Sequence, residues 1–249
     1  MPSRPTRPAR ALTPRSIIRE AGLEGRVGLG LPTAHTRQAP APGVSSPQEP
    51  SLDALLGSQG HTASGSLIEL SGEKSSGQTA LAYRMAAGVT ARGELVAWLD
   101  LPDALDPRFL RRSGVDLDAL LWVRPPELRA TLRSAEILVR TGFAMVAIDL
   151  CGTGTRALAK LPNSVWTRLL RAVRKARATA VLLSGPDRII GPAATFGIYT
   201  ERSQAIFDRA LLEGLELRAS IVRNRGGPTG GVYPFRILQR PAPPKTSSS

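Results

Sequence analysis

Apolar residues in this chain come in short unbroken runs, and each run is followed by a stretch in which they recur at helical spacing. SLIEL (66–70) leads into a glycine-containing loop, and then QTALAYRMAAGVTARG sets Leu81, Met85 and Val89 four residues apart before stopping at Gly93. ELVAWLD (94–100) predicts a buried strand, followed by a proline-bounded turn and a short helix around Arg108 to Ser113. ALLWV (119–123) predicts the next strand, and PELRATLRSAEILVRTG a helix that opens with proline and closes at Gly142. FAMVAIDL (143–150) is a strand carrying Asp149 near its end, SVWTRLLRAVRKARATA (164–180) an amphipathic helix, and AVLLS (180–184) a further strand. Beyond a proline-punctuated loop, the run from Ser203 to Leu212 reads as helix. LELRASIVRN and VYPFRIL, joined by RGGPTGG, read as a hairpin. The alternation predicts an α/β fold: a mostly parallel sheet flanked by helices, with a C-terminal antiparallel hairpin at its edge.

The two ends break this pattern. Residues 1–50 hold nine prolines and seven arginines against three acidic residues, too little apolar area to offset their ordering entropy. A flexible basic segment is expected there, with SIIREAGL from Ser16 as a possible docking turn. Residues 51–240 are expected to form the core, and 241–249 a flexible tail.

Composition then narrows the class. No apolar run approaches the roughly 18 residues that cross a bilayer. The basic N-terminus has no apolar core behind it, so it is not read as a secretory signal. One cysteine, Cys151, excludes an internal disulfide and fits a reducing, cytoplasmic setting. His35 and His61 have no companion ligands, so no metal site is expected. The net charge of +13 points toward a polyanionic partner. Yet 29 of the 33 basic residues are arginine, in a chain rich in Ala, Gly and Pro, as a GC-rich genome would also produce. Arg168, Arg171, Arg174 and Lys175 recur at helical steps on the 164–180 helix. They form either a nucleic-acid-binding stripe or a solvated outer face. The loop from Cys151 to Pro162 has no aromatic residue on which bases could stack.

The chemistry-bearing motif is LIELSGEKSSGQTALA (67–82). Strand, glycine loop and helix together aim backbone N–H groups and a helix N-terminus at one point, where a phosphate can sit. The phosphate-loop pattern G-x-x-x-x-G-K-[ST] is met at Gly72, Gly77 and Thr79, but Gln78 stands in the lysine position. Asp149 ends a strand where a metal-orienting carboxylate is expected. The candidate nucleotide-binding residues are therefore Gly72, Lys74, Ser76, Gly77, Gln78, Thr79 and Asp149.

The text around the loop resembles the RecA-like superfamily. PSLDALLGSQGHTASGSLIELSGEKSSGQTALA follows the RecA entry into its ATPase core. VAWLDLPDALDPRFLRRSGVDLDALLWVRP then repeats its strand ending in Asp100, its Ala104–Pro107 turn and its Gly114–Asp116 element. The resemblance runs from about Pro50 to Asp149. It implies a RecA-like phosphate-loop core, and it makes the departures informative. The loop lysine is Gln78; the catalytic carboxylate two residues past the strand-ending Asp is Pro102; the Asn-Gln pair after the later strand is Ser184–Gly185. A cation and a carboxylate supply charge stabilisation and water activation that an amide and a proline do not. Asp103 and Lys74 are nearby substitutes, expected to point elsewhere and to be a solvated cation, respectively. The degenerate core, basic N-terminus and LLEGLELRASIVRNRGGPTGG are similar to the ImuA family of accessory proteins in damage-induced mutagenesis. That likeness implies a non-catalytic role in the SOS response and DNA repair, with RecA or an ImuB-like polymerase homologue as partner. It implies no obligatory cofactor beyond weak ATP or ADP binding. A slow DNA-stimulated ATPase and a sequence-independent DNA-binding protein are the alternatives.

Overall fold

A computed structural model describes residues 65–208 and 211–238. The expected segments 1–50 and 241–249 lie outside these residues, as does the SIIREAGL island.

Each uninterrupted apolar run forms a strand buried on both faces: β1 (Ser66–Gly72), β2 (Val96–Asp100), β4 (Met145–Asp149) and β5 (Thr179–Gly185) are buried along their whole length. Between them, α1 (Gln78–Ala91), α2 (Pro107–Arg112), α3 (Leu128–Arg140), α4 (Thr155–Ala159) and α5 (Asn163–Ala176) return the chain, and β3 (Leu120–Val123) follows α2. The chain closes with β6 (Phe196–Thr200), β7 (Gln204–Asp208), β8 (Leu211–Asn224) and β9 (Val232–Leu238). All lie in one sheet of order β3-β2-β4-β5-β1-β6-β8-β7, with β9 on the other edge of β8. Pairing is parallel from β3 to β6 and antiparallel where β8 meets β6, β7 and β9. β8 is long enough to take β6 along residues 219–224 and β7 along 211–216 of the same edge.

Two cores follow from covering both faces. Leu81, Met85 and Val89 of α1 pack with Trp98, Leu110, Leu217 and Phe235 on one face. Leu138 of α3 and Trp166, Leu169 and Val173 of α5 pack with Leu99, Ile148 and Leu182 on the other. Trp98 and Trp166 are fully buried. Trp122 is half-buried, its indole N–H donating to Asp100 Oδ2 at 3.1 Å.

One expectation is corrected. The run from Ser203 is strand: β7 pairs antiparallel with β8, and the hydrogen bonds offered by that long neighbour override a helical spacing. The antiparallel hairpin forms as expected: β8 joins the sheet through β6 and β7, and β9 lies at the edge.

Candidate functional site

The glycine loop leaves β1 through Gly72 and enters α1 at Gly77. Gly72 accepts no side chain, because a Cβ there would run into the hydroxyls of Ser76 and Thr200 and the Thr200 carbonyl. Gly77 has φ +92°, a left-handed conformation that favours glycine, and Ser75 shares that region at +63°. The tight loop is closed by Ser76 N–H donating to the Glu73 carbonyl at 3.0 Å. No side chain caps α1, so its first N–H groups remain turned toward the loop.

Two further bonds hold this loop to the end of β6. The Ser76 and Thr200 hydroxyls lie 2.6 Å apart, and Ser203 Oγ donates to the Ser75 carbonyl at 2.6 Å. Thr200 Oγ1 in turn donates to the Ser71 carbonyl at 3.2 Å.

The loop forms one wall of a cavity of about 760 Å³. Gly72, Lys74, Ser76, Gly77, Gln78 and Thr79 all line it, so six of the seven residues expected from the motif are brought together. Tyr83, Phe109 and Leu215 give the cavity an apolar wall, and Asp106 lines it as well. The motif alone missed this wall; its signal was the Ala104–Pro107 turn, where Asp106 caps α2 by accepting from Arg108 N–H at 2.8 Å.

Asp149 is placed differently. It is buried and does not line the cavity, accepting from Cys151 N–H at 2.9 Å, while Cys151 and Gly152 themselves line it. Burial lifts its carboxyl to about 6 despite that hydrogen bond, with Asp100 adding a smaller push in the same direction. Burial and the neighbouring Asp149 also push the Cys151 thiol upward, away from reactive thiolate chemistry. Asp100 is committed elsewhere: it accepts from the Ala104 and Leu105 amides at 3.0 Å each, and from Trp122.

The charge-bearing positions of the loop are where the geometry is most specific. Gln78 is buried, and its Nε2 donates to the Gly72 carbonyl at 3.4 Å; its Oε1 is buried with no partner. The amide thus spans the loop without supplying charge. Lys74 is exposed on the cavity wall. Asp103 is exposed and turned to Arg124, 3.5 Å away, off the cavity. Ser184 donates to the Leu70 carbonyl at 3.4 Å, and Gly185 lines the cavity with no side chain to offer. The loop frame and the helix N-terminus fit a phosphate group. No cation is fixed at position 78, and among the described residues no carboxylate lines the cavity except Asp106. Among the described residues, no group of three or more His, Cys, Asp or Glu could hold a metal ion.

A carboxylate unnoticed in the sequence organises the opposite face. Glu69, in the middle of β1, is buried and accepts from the amides of Ile189 and Ile190, fixing the crossover from β5 to β6. Burial raises its pKa, against the two amide bonds and Arg188, which lower it. The basic stripe is split. Arg168 pairs with Glu136 of α3, whereas Arg171 and Arg174 turn to a small cavity beside the crossover, and Lys175 is exposed.

Comparison with known proteins places this architecture. The RecA N-terminal domain model matches residues 33–157. This chain belongs to the RecA N-terminal domain family. Among relatives, it is 40% identical over 218 residues to Protein RecA of Nocardia farcinica, covering 75% of this chain and 62% of that protein. It is 27% identical over 218 residues to Protein RecA of Cutibacterium acnes, with the same coverage. The chain therefore spans about 60% of the length of such RecA proteins. The crystal structure of the RadB recombinase superposes with a TM-score of 0.59 at 20% identity, covering 76% of this chain and 94% of that one, a likeness of fold. The RecA-family match takes in the loop, Pro102 and Asp149 but ends before α5, so the stripe and the antiparallel strands lie beyond it. No helix among the described residues is long and apolar enough to cross a membrane.

Proposed function

We propose that this RecA-family protein is a non-catalytic accessory of damage-induced mutagenesis, of the ImuA kind, acting through contacts with RecA or an ImuB-type polymerase homologue. What carries the reading is the Gln78 amide bonded across a well-formed phosphate loop, so that the loop is kept as a shape without its cation. Pro102 and Gly185 remove a carboxylate and an amide from the remaining reactive positions. Each charge-stabilising group typically contributes ~10²–10³ in rate, so losing several removes efficient hydrolysis. Nucleotide, where bound, is held by backbone N–H groups and Thr79 as a weak ligand. The protein-binding reading is supported by β3, whose outer edge has no strand partner among the described residues, a surface that another chain's strand extends. Pull-down of RecA and of the ImuB homologue by the full chain tests this: capture of either is expected, and capture of neither at micromolar protein overturns it.

A slow DNA-stimulated ATPase is the second reading, favoured by Gly72, Gly77 and Thr79 gathered on one cavity. Phosphate release that requires single-stranded DNA and disappears in Thr79→Ala would establish it in place of the first.

A further inference from the structure

The crossover from β5 to β6, residues 186–195, is pinned through its backbone by side chains of opposite charge. Glu69 of β1 takes the early part, its Oε1 accepting from the amides of Ile189 and Ile190. Arg223 of β8 takes the later part. Its Nε donates to the Ala194 carbonyl at 2.9 Å and its Nη2 to the Pro192 carbonyl at 3.1 Å.

The two pinning residues stand close together. Glu69 is paired with Gly197 of β6, and Gly197 with Arg223, so both side chains rise from one face of the sheet, two strands apart. Position 197 has no side chain to separate them, and a Cβ there would lie 3.1 Å from the Arg223 Cβ. Two strand spacings are roughly 10 Å, a gap that an extended glutamate and arginine bridge. Both line the same cavity of about 250 Å³; Arg188, which lines it too, belongs to the crossover and moves with it. Yet Glu69 and Arg223 make no ion pair with each other among the described residues. Each is turned to the crossover instead.

Two opposite charges within reach, each occupied by the backbone of the same segment, have two ways of being satisfied. We propose that the β5–β6 crossover is a releasable strap. Closed, it is pinned by Glu69 and Arg223; open, these two side chains bind each other across Gly197 in place of its amides and carbonyls. The exchange of partners lowers the cost of opening, because neither charge is left unpaired. Ile190 and Ala194, buried under the closed strap in the core on the α5 side, supply the opposing cost and keep the open state minor. The strap stands independently of the accessory role proposed above, since no partner enters its test.

Hydrogen exchange of the full chain at one fixed pH reads the opening directly, at the amides of 189, 190 and 195. Glu69→Gln keeps an acceptor for the crossover amides but removes the charge that Arg223 takes up in the open state. It is expected to slow exchange at these amides by roughly threefold, where a side chain that only pins would loosen the strap on losing its charge. In an Arg223→Met background the same substitution should change these rates by less than about half as much on a logarithmic scale. The parent alone gives a second measurement. The open-state pair is the more exposed one, so raising salt should slow exchange in the strap and leave the β4 amides, at the sheet centre, unchanged. The proposal is overturned if Glu69→Gln speeds strap exchange or leaves it as in the parent, if it slows exchange equally in both backgrounds, or if salt leaves the parent's strap rates unchanged or raises them.

Discussion

Gln78 donates from Nε2 to a loop carbonyl, and unlike a lysine it also leaves an acceptor, Oε1, buried without a donor. An unsatisfied buried acceptor costs about 1–3 kcal/mol. Gln78→Lys removes that acceptor and puts a cation in the loop. The expected outcome is a larger ATP-dependent rise in thermal midpoint than the parent shows, with phosphate release still at background because Pro102 is unchanged. Asp149 carries a pH signature. Its folded pKa of about 6 lies above the ordinary 3.8, so protonation favours the folded state. The penalty is full above pH 6, shrinks as pH falls through 6, and is gone below 3.8. Asp149→Asn keeps an acceptor for the Cys151 amide and removes the charge. It should therefore gain up to about 3 kcal/mol in urea denaturation at pH 8, and nearly nothing at pH 4.

At the scale of elements, the β5–β6 crossover depends on one side chain from another strand. Glu69→Ala leaves the Ile189 and Ile190 amides without their acceptor and is expected to cost about 2–4 kcal/mol in urea titrations. Glu69→Gln keeps an acceptor and sheds the buried charge, so its loss should be clearly smaller. Position 69 also shows where sequence reading stops. In SLIEL an alternating carboxylate is consistent with a strand, but the amides that bind it lie 120 residues away. β1, β2, β4 and β5 were legible because burial on both faces leaves an unbroken apolar signature. β7 was not, since its partner, not its own spacing, decides its conformation. The loop residues of the site were legible as a local motif. Phe109 and Leu215 were not, because they meet the loop only through the fold.

The described residues rest on one sheet with a core on each face, and both cores share the same central strands. Leu110→Ala on the α1 face and Leu138→Ala on the α3 face should each cost about 2–5 kcal/mol. Calorimetry should show a single transition moving in both variants, because neither face can melt while the sheet between them stays intact. The hydroxyl contacts from Thr200 and Ser203 to the glycine loop have a consequence in exchange kinetics. They join the loop to the corner between β6 and β7, so neither opens to solvent without the other. Amide deuteration at 75–78 and at 200–203 should therefore proceed with a common protection factor, and Thr200→Val should raise both rates together. A loop that breathes alone would show two unrelated rates.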